Sequence, residues 1–79
     1  MQVKVLGTGC AKCNKLFEET RASMEAAGVE AELTKVESID EIVSYGVAFT
    51  PALVIDGQVK CSGKIPSRDK ITAWLTEAR

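Results

Sequence analysis

The chain contains no histidine, only two prolines and four aromatic residues, and just three cysteines among its 79 residues. Without histidine, a Cys–His hydrolase or transferase mechanism is unavailable. An odd number of cysteines excludes a full disulfide framework. Long apolar runs are also missing. The longest uninterrupted stretch, Ala52 to Ile55, is far short of the roughly 20 residues needed to span a bilayer. Residues 1–9 carry neither an apolar run of signal-peptide length nor an A-x-A-like site, so the expected location is the cytoplasm. Neither sign of charge dominates. Ten Lys and Arg stand against eleven Asp and Glu, a net charge of −1, which gives no sign of nucleic-acid binding or of attraction to anionic membranes.

What is present is the composition of a globular protein, 46% hydrophobic and 27% charged. The length allows one domain, residues 1–79, with a modest core. A chain this short buries about 60–65% of the surface that its unfolded form exposes. It leaves no room for a large cofactor pocket, and no cofactor is expected. Gln2 to Leu6 reads as a strand, broken by Gly7-Thr8-Gly9. From Cys10 the period changes. Cys13, Leu16, Phe17, Thr20, Met24 and Ala27 fall on one helical stripe, and Gly28 stands where a C-terminal cap belongs. Val29, Ala31 and Leu33 alternate with Glu30, Glu32 and Thr34 as a half-buried second strand.

Ser38 and Glu41 form an S-x-x-E capping box. It opens a short helix with Ile39, Ile42 and Val43 as its apolar positions and Gly46 as its end. Ala52 to Ile55 is a third strand, and Asp56-Gly57 is a two-residue hairpin signal. Val59 and Cys61 alternate with Gln58 and Lys60 in a fourth strand. Ser67 caps a last helix whose stripe is Ile71, Trp74, Leu75 and Ala78. The order β-α-β-α-β-β-α predicts an α/β fold. The first two strands should be parallel, the last two should form an antiparallel hairpin, and the helices should flank a mixed four-stranded sheet.

Cys10-Ala11-Lys12-Cys13 is a C-x-x-C pair placed directly after a strand and at the start of a helix. Two intervening residues in a first helical turn let two sulfurs approach bonding distance. The unpaired N–H groups of that turn and the helix dipole favour a thiolate at the first position. Cys13, one turn further in, should be more buried. Cys10 would attack a disulfide and Cys13 would resolve the mixed disulfide. In a cytosolic protein such a pair is more often catalytic, redox-sensing or metal-binding than a structural staple. A closed zinc site needs four ligands, and beyond Cys61 only carboxylates remain to supply them. A soft-metal or metalloid carrier therefore stays open as the alternative, as does an adaptor in which the pair is vestigial. Lys12 and Lys15 add exposed, screened positive charge.

The succession of GTGCAKC, a helix, a strand, a capped helix, FTPALVIDGQVKCSGKIPS and a final helix resembles the small glutaredoxin-like, thioredoxin-fold redox proteins of prokaryotes. The resemblance covers nearly the whole chain. It implies a thioredoxin-like fold and a thiol–disulfide oxidoreductase acting as a monomer. Its partners would be a disulfide reductase and a disulfide-containing protein or small molecule. It also implies a cis peptide bond at Pro51, beside the C-x-x-C. Thr50 would then offer its backbone to an extended substrate, with Ala11 and Lys12 on the same substrate-facing surface. Three departures stand out. Gly9 replaces the Trp that thioredoxins carry before the motif. Residues 2–6 contain no acid to assist the resolving thiol. Ala11-Lys12 lacks the aromatic residue of glutaredoxins.

Cys61 and Trp74 read as core residues, Cys61 because its alternation with Val59 points it inward. Phe49, Val47 and Ile65 read equally as core or as an apolar rim around the sulfurs.

Overall fold

The computed structural model describes residues 1–9 and 11–78. Its elements are β1 (Gln2–Leu6), α1 (Ala11–Ala27), β2 (Glu32–Val36), α2 (Ile39–Ser44), β3 (Ala52–Ile55), β4 (Gln58–Ser62) and α3 (Arg68–Ala78). The element order is the expected one. The four strands form one sheet in the order β2-β1-β3-β4. β1 runs parallel to β2 and antiparallel to β3, and β3 runs antiparallel to β4. No helix among the described residues is long and apolar enough to cross a membrane.

Period-two alternation divides the two central strands between two cores. Val3 and Val5 of β1 and Leu53 and Ile55 of β3 pack with Leu16 and Met24 of α1 and Ile71 and Leu75 of α3. Leu6, Ala52 and Val54 face the other way, with Val36 and Ile42. All four residues of β3 are buried, because this strand is covered on both faces.

Helix α1 ends in a Schellman motif. The Gly28 N–H donates to the Glu25 carbonyl at 3.3 Å and the Val29 N–H to the Met24 carbonyl at 3.0 Å. Gly28 takes φ +66°, the left-handed conformation that glycine adopts without strain. This cap corrects the boundary expected for the second strand. Val29 belongs to the helix end, its side chain packs in the α1–α3 core, and β2 begins only at Glu32, opposite Gln2. Ser38 does cap α2, its hydroxyl accepting from the Glu41 N–H at 3.5 Å.

The expected apolar face of α2 is only partly correct. Ile42 is buried, but Ile39 is 66% and Val43 63% exposed. A six-residue helix has fewer than two turns, so it turns one apolar residue to the sheet and leaves the i, i+4 pair on another side.

At the β3–β4 turn, Asp56 (φ 48°) and Gly57 (φ 82°) are both left-handed, as a type I′ hairpin requires. Along β4 the register shifts. Leu53 faces Cys61 but Val54 faces Val59, so Lys60 is a bulge residue. The bulge cancels the alternation read from the sequence. Val59 and Cys61 lie on opposite faces, with Val59 40% exposed and Cys61 packed in the α1–α3 core. Cys61 does point inward, but through the bulge and not through a shared face with Val59.

Between the helices, Glu19 of α1 binds Arg68 at the start of α3 and also pairs with Lys15 at 3.1 Å. The Arg68 hydrogen bond, helped by Lys15, holds the Glu19 carboxyl below its ordinary value. A depressed carboxyl contributes stability above its unfolded-state pKa and loses it as pH falls through the folded-state value. Wild-type protein should therefore lose more stability than Glu19→Gln between about pH 5 and pH 3, as read by urea titrations at each pH. Two hydroxyls are buried on α1. That of Thr20 donates to the Leu16 carbonyl at 2.8 Å, whereas Ser23 Oγ has no hydrogen-bond partner among the described residues. Removing that orphan polar atom relieves a desolvation cost. Ser23→Ala should raise stability by about 1 kcal/mol, seen as a higher urea midpoint with an unchanged slope.

Candidate functional site

The site grows from the end of β1. The Gly7 N–H donates to the Val36 carbonyl at 2.9 Å, which extends the parallel β1–β2 ladder by one residue. Gly7 is buried, and Cys13 packs directly on its backbone. A Cβ added to Gly7 would lie 2.2 Å from Cys13 Sγ, 2.8 Å from Cys13 Cβ and 3.9 Å from Thr50 Cβ. The need for glycine here is one of close approach between backbone and sulfur. Cys13 is 1% exposed, the first buried position of the α1 stripe. Of the expected site residues, Cys13 and Thr50 thus both lie beside Gly7. Pro51 follows Thr50 through a cis peptide bond; Pro51 is buried and Thr50 is exposed. Ala11 and Lys12, in the first turn of α1, are exposed. Cys10 lies outside the described residues.

Two further groups frame this cluster. The Gly63 N–H donates to the Pro51 carbonyl at 2.8 Å, and a Cβ on Gly63 would come within 3.1 Å of Phe49 Cβ. Phe49 is 71% exposed, so it stands at the surface beside Thr50 and is not core. Val47 and Ile65 go the other way, each half-buried and packed against a core cluster. On the β2 side, Glu37 Oε2 approaches to 3.7 Å of the place where a Gly9 Cβ would stand. Sequence reading passed over both Gly7 and Glu37. The signal for Glu37 is topological: a parallel β1–β2 pair in which Leu6 faces Val36 puts residue 37 beside the loop that leads into the motif.

The electrostatics beneath the site differ from those of a strand bearing a carboxylate. The charged residue of β1 is Lys4, which is half-buried and donates to the Tyr45 hydroxyl at 3.0 Å. That hydrogen bond holds the Lys4 ammonium above its ordinary pKa. Lys15, read as a source of positive charge near the motif, is instead engaged by Glu19. Cys61 stands apart from the cluster, in the wall of a cavity between β4 and α3. Burial pushes its thiol pKa up, opposed by a backbone hydrogen bond at Leu53 and by the charge of Lys64.

Residues 1–76 match the thioredoxin domain family. The chain belongs to the thioredoxin family. Among similar proteins, a thioredoxin of Methanothermobacter thermautotrophicus is 34% identical over 76 residues, covering 96% of this chain and 99% of the relative. A thioredoxin of Methanocaldococcus jannaschii is 38% identical over 73 residues, covering 92% and 84%. Membership in the thioredoxin family fixes the enzymatic class as thiol–disulfide oxidoreductase. It also agrees with the observed four-stranded mixed sheet, which carries α1 and α3 on one face and α2 on the other.

The contact between Gly7 and Cys13 leaves no space for a methyl group. Gly7→Ala should destabilise the protein by about 1–3 kcal/mol through overpacking, measured by urea denaturation. An unchanged midpoint would mean that the sulfur has room to retreat.

Proposed function

We propose that Cys10 and Cys13 form a dithiol/disulfide couple that exchanges two electrons with disulfides of proteins or small molecules. The observation that carries this reading is the near-complete burial of Cys13 against Gly7, next to Thr50, in a chain of the thioredoxin family. In the reductive direction, Cys10 as a thiolate attacks one sulfur of the substrate disulfide and expels the other as a thiolate, which takes a proton. Cys13, deprotonated, then attacks the Cys10 sulfur. The mixed disulfide breaks, the second substrate thiol leaves, and a Cys10–Cys13 disulfide remains. A disulfide reductase returns two electrons to close the cycle.

Burial suits Cys13 to the second role, because a side chain on a residue only 1% exposed meets only what is already bound to its neighbour. The exposed Thr50, with Ala11 and Lys12, would border the substrate segment, and the Thr50 backbone would pair with it as an added strand. Phe49 would offer an apolar contact to a protein substrate. The same proposal has the chain act as a single-domain monomer in the cytoplasm. The carrier reading draws no support from the family match or from the relatives named above, which are thioredoxins.

The test is trapping. Cys13→Ser should accumulate a mixed disulfide with a disulfide-bonded substrate such as insulin, seen by non-reducing electrophoresis and mass spectrometry. Cys10→Ser should not. Both variants should lose insulin reductase activity by at least about a hundredfold, since each removes one half of a two-step exchange. Trapping through Cys13 alone, or an oxidised wild-type chain that never loses two hydrogens, would overturn the assignment.

A further inference from the structure

A cavity of about 510 Å³ opens between β4, the loop after it and α3, within the range of small-molecule sites. Its cationic lining is Lys60 from the β4 bulge, Lys64 from the loop and Lys70 from the first turns of α3. No carboxylate lines it; Asp69, in the first turn of α3, is not among the lining residues. Elsewhere on the chain, Lys15, Arg21 and Arg68 are each held by a glutamate, whereas Lys4, Lys12 and Lys35 make no ion pair among the described residues. Here Lys60 donates only to the Gln58 amide oxygen at 3.2 Å, and neither Lys64 nor Lys70 makes an ion pair among the described residues. Lys64 and Lys70 thus bring two unpaired ammoniums to one small cavity, with Lys60 at its border toward Asp56 and Glu77, in a chain whose net charge is −1. A multivalent anion turns the repulsion between the two ammoniums into attraction.

The remaining wall is Cys61, Ile65, Pro66, Ser67 and Trp74, apolar but for the Ser67 hydroxyl. Trp74 and Ile65 both line the cavity, each half-buried. A neighbouring depression shares Lys60 and Trp74 but is bordered by Asp56 and Glu77, so the positive potential is confined to the Lys64–Lys70 end. This gives the cavity two ends of different chemistry: ammoniums for a charged group and an indole face for a planar ring.

We propose that this cavity binds a small phosphorylated molecule bearing a planar ring, of the nucleotide class, with its phosphates between Lys64 and Lys70 and its ring against Trp74. Bound there, the molecule covers the Cys61 thiol, which lines the same wall. The loop that supplies Lys64 begins at Gly63, whose N–H holds the Pro51 carbonyl, so the cavity adjoins the backbone of the redox site without including it.

Trp74 is the only tryptophan of the chain, so its fluorescence reports the cavity and the depression beside it, which the lysine variants below tell apart. Titration of the full chain with ATP should give a saturable change, with affinity weakening from ATP to AMP and vanishing with adenosine. The double variant Lys64→Gln/Lys70→Gln should weaken ATP binding by about tenfold or more, since each lysine removes a charge-assisted contact. Arg21→Gln, at an exposed cation of α1 that does not line the cavity, should leave it unchanged. In a Cys10→Ser/Cys13→Ser chain, saturating ATP should slow alkylation of Cys61 by iodoacetamide. The proposal is overturned by any of three results: no saturable change up to millimolar ATP, equal binding of adenosine and ATP, or a dissociation constant that the double lysine variant does not move. Undiminished alkylation of Cys61 at saturation would place the ligand elsewhere and overturn it too.

Discussion

The contact between the Cys13 sulfur and the backbone of Gly7 sets the positions of the other groups at the site. A glycine at the end of β1, held by a ladder hydrogen bond to Val36, lets the first turn of α1 come down onto the strand. Any side chain there would push the helix away. With the helix at that height, Cys13 heads the stripe that continues through Leu16 and Thr20 into the α1–α3 core. The site is therefore an extension of the hydrophobic packing and not a separate structure laid upon it. Disturbing the packing of Leu16 or Met24 would also shift the sulfur, because both lie on the same rigid helix.

The two faces of the sheet carry unequal loads. On one side α1 and α3 cover Val3, Val5, Leu53 and Ile55 and are tied together by the Glu19–Arg68 pair. On the other, α2 covers the sheet with little more than Ile42, and Lys4 reaches up to Tyr45 from the strand below. Most of the burial that drives folding therefore belongs to the first face. The second face is thin, and it leaves Ile39, Val43 and Phe49 in water.

Features fixed by local chemistry were legible in the sequence. β1, the α1 stripe from Cys13 to Met24, the Gly28 cap, the Ser38 cap and the Asp56-Gly57 hairpin each depend on a few neighbouring residues whose preferences agree. The element order followed from the same local patterns, and the nearness of Thr50-Pro51 to the cysteine motif from family resemblance. What could not be read depends on contacts distant in sequence. Val29 alternates like a strand residue but is claimed by the end of α1. Ile39 and Val43 look like core residues until the shortness of α2 decides which side meets the sheet. Gly7 and Glu37 gain their meaning from the β1–β2 register, which no local pattern specifies. The cavity lined by Lys60, Lys64 and Lys70 joins residues from three elements whose charges look evenly scattered along the chain.

The extra residue in β4 has an effect at the level of whole molecules. β4 is a border of the sheet, and a straight border strand offers unpaired N–H and C=O groups to the border of another copy. The irregularity at Lys60 breaks that row midway and puts a cationic side chain at the break. Two copies meeting there would have to match interrupted ladders while bringing like charges together. Self-association through this border is thereby discouraged, and the opposite border, β2, becomes the side on which crowding would first test the protein's solubility.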